Sequence, residues 1–174
     1  MSGDVHVRFL EGPRVKFPWS TQPYLWTKKG WTYLATVIDL CTHKVVGWSM
    51  SVNIDAELAC NALRDALIRE HYPKGVIMHT DRGSTYCSNV YRKLLRDYYC
   101  IGSMSRKGNC WDNAVAESFF GILKRELEGV NNFLSPELAY DAIFEFIECW
   151  YNPKRLHSTI GYKSPLNYER ELLL

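Results

Sequence analysis

The sequence lacks any apolar run approaching the roughly 18 residues of a membrane span, and its first residues carry no signal-peptide pattern. Both absences exclude a membrane-embedded reading and predict a cytoplasmic protein. Net charge is also scarce: 21 Lys and Arg against 19 Asp and Glu leave +2, so bulk charge neither demands nor excludes a nucleic-acid partner. The six cysteines (41, 60, 87, 100, 110 and 149) include no C-x-x-C pair, which argues against a zinc ribbon or a thioredoxin-type motif. They suit reduced thiols in a cytosolic chain. No internal repeat or low-complexity tract stands out. What is present is 47% apolar and 23% charged residues over 174 positions, a balance that buries one core rather than staying disordered.

Patterning divides the chain further. Residues 1–23 read as irregular, with a short alternating stretch followed by prolines. From Trp31 the pattern sharpens: TYLATVIDL (32–40) reads as a largely buried strand and VVGWSMSV (45–52) as its antiparallel partner, with Gly47 marking a bulge. The period then changes to 3.6. Asp55 is an N-cap for a helix with Leu58, Ala59, Ala62, Leu63, Ala66 and Leu67 on one stripe. GVIMHT (75–80) and CIGSMS (100–105) read as short strands around a helix at 90–99. Helices are predicted at 112–128 and 135–151, the second opened by Ser135-Pro136 and ended by Pro153. Strands alternating with helices predict a mixed α/β sheet with helices packed against it. That order suits a ribonuclease H-like layer, and on pattern alone many other α/β folds.

Two carboxylates stand where chemistry is favourable. Asp81 follows an apolar strand and precedes a glycine turn, the end at which α/β sheets bind ligands; an ordinary turn cap is the plainer reading. Glu117 lies about 100° from the centre of its helix's apolar stripe (Ala116, Phe119, Phe120, Leu123, Leu127), on the border of core and solvent. Lys124 lies two turns on. Acids from distant segments holding Mg²⁺ are what phosphoryl transfer on nucleic acid needs.

Three runs, HTDRGSTYCS (79–88), SMSRKGNCWDNAVAESFFGILKRE (103–126) and YNPKRLHSTIGYKSPLNYE (151–169), together with VIDLCTHKVVGWSM (37–50), resemble the catalytic core of bacterial insertion-sequence transposases of the retroviral-integrase superfamily. The likeness covers about residues 24–170, leaving 1–23 as an irregular N-terminal segment with a degenerate first strand and 171–174 as a tail. It implies a ribonuclease H-like fold with a mixed five-stranded sheet flanked by helices. It also implies an Asp-Asp-Glu triad holding two Mg²⁺ or Mn²⁺ ions for DNA strand cleavage and strand transfer. Asp81 carries over as the second triad aspartate and Glu117 as the glutamate. Lys124 would contact DNA near the terminus, while Asn109, Asp112 and Asn113 would shape the loop before the catalytic helix. DNA ends and target are the implied partners, with a homodimer or higher oligomer as the working form. The family's upstream end-recognising helix-turn-helix has no counterpart in this sequence, so sequence-specific end binding is expected to be weak or absent.

One departure bears on activity. The family's first aspartate aligns with Thr21, or with Gln22 if Trp19 is honoured, and neither is a carboxylate. Asp39 in the next strand would replace it as a weak metal ligand, or Asp4 would do so across an inserted hairpin. Otherwise the chain is a catalytically inactive ribonuclease H-like remnant that only binds DNA or a protein partner. A ribonuclease H-like nuclease or resolvase fits less well, because the 103–114 and 151–158 runs follow the transposase pattern. Basic residues 92, 93, 96, 106, 107, 124 and 125 outnumber acids 97, 112 and 117 between Arg92 and Arg125. Of these, Arg106, Lys107 and Lys124 are the expected DNA contacts, and Arg92, Lys93 and Arg96 a solvated helix face. Lys154, Arg155 and His157 stand within reach of DNA in an assembled complex. His79 and His157 lack metal-ligand spacing and read as structural, as do Trp48, Trp111 and Trp150.

Overall fold

A computed structural model describes residues 24–80, 85–104, 114–127 and 133–174. Three strands open it: β1 (Tyr24–Thr27), β2 (Gly30–Ile38) and β3 (Val45–Ser51), paired antiparallel in the order β1-β2-β3. β1 alternates exposed Tyr24 and Trp26 with buried Leu25 and Thr27, and Lys28 N donates to Phe133 O at 2.8 Å, tying the hairpin to a distant part of the chain. The predicted bulge is present, as the register slips between Val37 and Ile38 opposite Gly47 and Val45.

Helix α1 (Ala56–Arg69) begins at Asp55, whose carboxylate accepts from Leu58 N. Its predicted stripe is buried against β2 and β3. Gly47 is where helix and strand come closest: a Cβ there would stand 2.4 Å from Ala66 N and 2.6 Å from Ala62 O. Asp65 Oδ2 accepts from Trp48 N, Trp48 Nε1 donates to Glu148 Oε1 at 2.9 Å, and Arg69 bonds both Asp65 and Glu148. These bonds join strand, helix and the C-terminal helices on one side of the sheet.

β4 (Ile77–Thr80), α2 (Asn89–Asp97) and β5 (Ile101–Met104) form a crossover unit, the strands parallel and in register from Ile77 opposite Ile101 to Thr80 opposite Met104. The single five-stranded sheet expected from the sequence is not what the described residues show. Five strands are present as a three-stranded antiparallel sheet and a two-stranded parallel one. β1 has only four residues to offer a ladder, and the positions before it lie outside the described residues.

α3 (Ala114–Glu126) buries Ala116, Phe119, Phe120, Ile122 and Leu123, with Leu127 just beyond its end. Phe119 stands edge-on to Tyr151 (centroids 4.9 Å, 87°), and each such buried side chain contributes about 1.5–3 kcal/mol. The predicted 135–151 helix is two pieces. α4 (Pro136–Phe144) gives way to a π-helical turn, Glu145–Tyr151, and helical winding continues through Pro153 in α5 (Asn152–Lys154). Arg155 N donates five residues back to Trp150 O. The widened winding gives the proline ring room where an α-helix would clash with it. A short 3₁₀ turn (Ser158–Ile160) and α6 (Pro165–Leu172) finish the fold, α6 running two residues into the stretch set aside as a tail. No helix among the described residues is long and apolar enough to cross a membrane.

Candidate active site

The two parallel strands end together, at Thr80 and Met104. Asp81 follows Thr80 in the sequence and lies outside the described residues, among positions 81–84. Arg106, Lys107, Asn109, Asp112 and Asn113 fall in the undescribed 105–113, and Asp4, Thr21 and Gln22 in 1–23.

Glu117 is described, one turn into α3. It is exposed, further out than the border position its angle from the stripe predicts. Gly121 and Lys124 follow on the same face and are also exposed. Nothing stands within 4 Å of where a Gly121 Cβ would be, so a bare strip of helix separates the acid from the lysine. Among the described residues, neither Glu117 nor Lys124 forms an ion pair, which leaves both charges to solvent or to a ligand. The core holding this helix is the aromatic seam of Phe119, Phe120, Phe146 and Tyr151.

Asp39 has a different setting. Its Oδ1 accepts from Cys41 N at 3.0 Å, and its Oδ2 from Thr42 N at 3.3 Å and Thr42 Oγ1 at 2.7 Å. Asp39 N also donates to Lys44 O, and His43 N donates to Asp39 O. Three of the about four lone-pair sites of a carboxylate thus brace the β2–β3 turn. The next residue along, Lys44, bonds Glu70 and Glu169 at 2.9–3.1 Å. Burial pulls its ammonium pKa down, but the hydrogen bonds and charges of Glu169 and Glu70 outweigh that, and the pKa is raised. Among the described residues, no three His, Cys, Asp or Glu side chains gather in a metal-binding group.

Of the histidines and tryptophans read as structural, His79 and Trp48 are packed into the fold. His79 is buried with Nδ1 3.0 Å from Ser103 Oγ, linking β4 to β5. Trp48 is buried against Tyr140, whereas Trp111 lies outside the described residues. Arg92, Lys93 and Arg96 lie on the exposed face of α2. A group the sequence reading did not assemble is a cleft joining His43 to Ser118 and to the 155–162 segment. Its only sequence signal is the density of polar residues in RLHST, because the members come from three separate elements.

Known proteins resemble this chain in sequence and in fold. A family model described as integrase core domain matches residues 21–110, and a second of the same description matches 117–173. Transposase InsF for insertion sequence IS3A of Escherichia coli (strain K12) is 47% identical over 95% of this chain and 57% of its own length. The transposase for insertion sequence element IS904 of Lactococcus lactis is 46% identical over 84% of this chain and 58% of its own. The chain therefore spans somewhat over half the length of these curated relatives. Among solved structures, the HTLV-2 integrase catalytic core domain in complex with magnesium, in its dimeric form, superposes with a TM-score of 0.63 at 16% identity, covering 90% of this chain and 96% of that one. The simian T-cell lymphotropic virus intasome in complex with a PP2A regulatory subunit gives 0.68 at 16% identity, covering 92% and 56%. Both likenesses establish the ribonuclease H-like fold.

Proposed function

The chain belongs to the integrase core domain family, and from that premise we propose that it is the DNA-cutting and DNA-joining core of an insertion-sequence transposase. It works with a divalent metal in the bacterial cytoplasm, as a dimer or higher oligomer on DNA ends and target. The observation that carries this reading is an exposed Glu117, without an ion pair among the described residues, on the helix after the parallel strand pair, with Lys124 two turns along the same face.

Asp81 and Glu117 are the proposed metal ligands. Their oxygens are hard donors of the kind Mg²⁺ and Mn²⁺ take, and Glu117 breaks no ion pair among the described residues to serve. Bound there, the ions would supply the polarisation that turns water or a DNA 3′-hydroxyl into a nucleophile and eases the leaving oxygen. The chain's own residues do the positioning. Lys124 holds a backbone phosphate two turns along the helix from Glu117. Arg106, Lys107, Asn109 and Asn113, in the stretch of sequence before α3, hold the DNA strand and fix its place without reading its sequence.

Thr21 and Gln22 bring no charge, so Asp81 and Glu117 offset the ions, with Asp4 as the remaining candidate for the third carboxylate. Metal binding then depends steeply on each of them, while Asp39 keeps to its turn. The direct test is Mn²⁺ titration of the chain followed by electron paramagnetic resonance. Clearly weaker binding in Glu117→Gln supports the assignment; equal binding by the native chain and the variant overturns it.

A further inference from the structure

On the other flank of α3 lies a cleft of about 450 Å³, within the ~300–1,000 Å³ usual for small-ligand sites. Its walls include Ser118 of α3, His43 of the β2–β3 turn, and Arg155, His157, Thr159 and Tyr162 of the segment after α5. No carboxylate is among the described residues lining it, and Arg155 is its charged group.

Hydrogen-bonding capacity is left over here. Among the described residues, three buried side-chain polar atoms have no partner, and two of them are Arg155 Nε and His157 Nε2. His157 is only 9% exposed. A buried polar atom without a partner is costly, and both residues belong to one wall. Arg155 spends Nη1 on Leu156 O at 2.9 Å, and the His43 ring reaches Thr159 Oγ1 at 3.5 Å. A cation, imidazoles and hydroxyls with no acid among them suit an oxygen-rich anion.

Helix geometry places the cleft relative to Glu117. At 100° per residue, Ser118 is 100° on from Glu117 and Val115, which also lines the cleft, is 200° back. The cleft is thus centred about 130° around the helix, or about 10 Å across its surface. Exposed Gly121 and Arg125 occupy the arc between. Such a distance is a few nucleotides along one strand, and the missing Gly121 side chain lets a backbone cross.

The geometry points to a second phosphate subsite: the cleft between α3 and the 155–162 segment seats a DNA backbone phosphate a few nucleotides from the one at Glu117, with Arg155 as its cation and His43, Ser118 and Thr159 as its hydrogen-bond partners. This rests on the DNA-processing reading above.

The test measures binding of a fluorescein-labelled duplex with one pre-cut end, by anisotropy across a salt series, with circular dichroism confirming that each variant is folded. Removing one phosphate contact lowers the slope of log K against log salt by about 0.9. Arg155→Gln is expected to show that drop and Arg155→Lys to restore it. Ser118→Glu, a change at an exposed helix position, is expected to weaken binding most at low salt. Native slope and affinity in both Arg155→Gln and Ser118→Glu, with Lys124→Gln still weakened, overturns the cleft and leaves the DNA reading standing. No duplex binding by the native chain overturns both.

Discussion

Acid should loosen this fold through His157. Its ring stands edge-on to Tyr151 (5.2 Å, 82°) and to His43 (5.5 Å, 85°), its backbone N–H donates to Lys163 O, and its Nε2 has no partner. Burial, and then the charges of Arg155 and His43, hold its pKa down at about 4, against about 6.5 in the unfolded chain. Between those values the unfolded chain takes up more protons. The imidazole's contribution is therefore complete above about pH 6.5 and is lost as pH falls toward about 4. The gap is worth about 3 kcal/mol, which screening by water in the adjoining cleft reduces to about 2 kcal/mol. His43, lowered by burial against the opposing pull of Asp39, acts in the same direction. The assay is urea unfolding at stepped pH from 7 to 4, comparing the native chain with His157→Phe, which keeps an aromatic ring between Tyr151 and His43. The native curve should fall by about 2 kcal/mol more than the variant's. Arg155→Gln, by removing a repelling cation, should make the native fall shallower. Identical pH slopes in native and His157→Phe, or a His157 ring proton titrating near about 6.5 by NMR, would rule out His157 as the source of the acid sensitivity.

Three further substitutions separate packing, stitching and bracing. Gly47→Ala forces a methyl into the backbone of α1 and should cost about 1–3 kcal/mol in urea unfolding; a neutral result would mean that α1 does not sit so close. Asn152→Ala removes a side chain that accepts from Val45 N at 2.9 Å and donates to Val45 O at 3.0 Å in the buried interior, costing about 2–4 kcal/mol, with a melting temperature unchanged from native as the contrary outcome. Asp39→Ala should lose about 1–3 kcal/mol of stability while Mn²⁺ affinity stays at the native value. A drop in affinity would make Asp39 a ligand after all.

The sequence made some of this legible and hid the rest for physical reasons. The β2–β3 hairpin and the stripe of α1 could be read because each is a pattern repeated over seven or more residues, and the Asp55 cap because its bond reaches only three residues on, to Leu58 N. β1 was not, since alternation over Tyr24–Thr27 is too brief to stand out after a proline-rich stretch. The π-helical turn depends on an aromatic seam and on Pro153 acting together, which periodicity alone does not encode. A helical wheel put Glu117 about 100° from its stripe, but only the reach of the neighbouring elements shows it to be exposed. Asp39 looked like a spare carboxylate at a strand end, and its bonds to Cys41 and Thr42 appear only once the turn is folded. The His43–Ser118–Arg155 cleft gathers residues more than 100 positions apart, beyond any local motif.

Strand transfer with Mn²⁺ on a pre-cut DNA end tests whether the chain is the metal-dependent DNA strand-transfer core proposed above. The expected result is joined product from the native chain and none from Glu117→Gln, with duplex binding retained by the variant. No joined product from a native chain that binds both Mn²⁺ and the duplex, or equal product from Glu117→Gln, would contradict it.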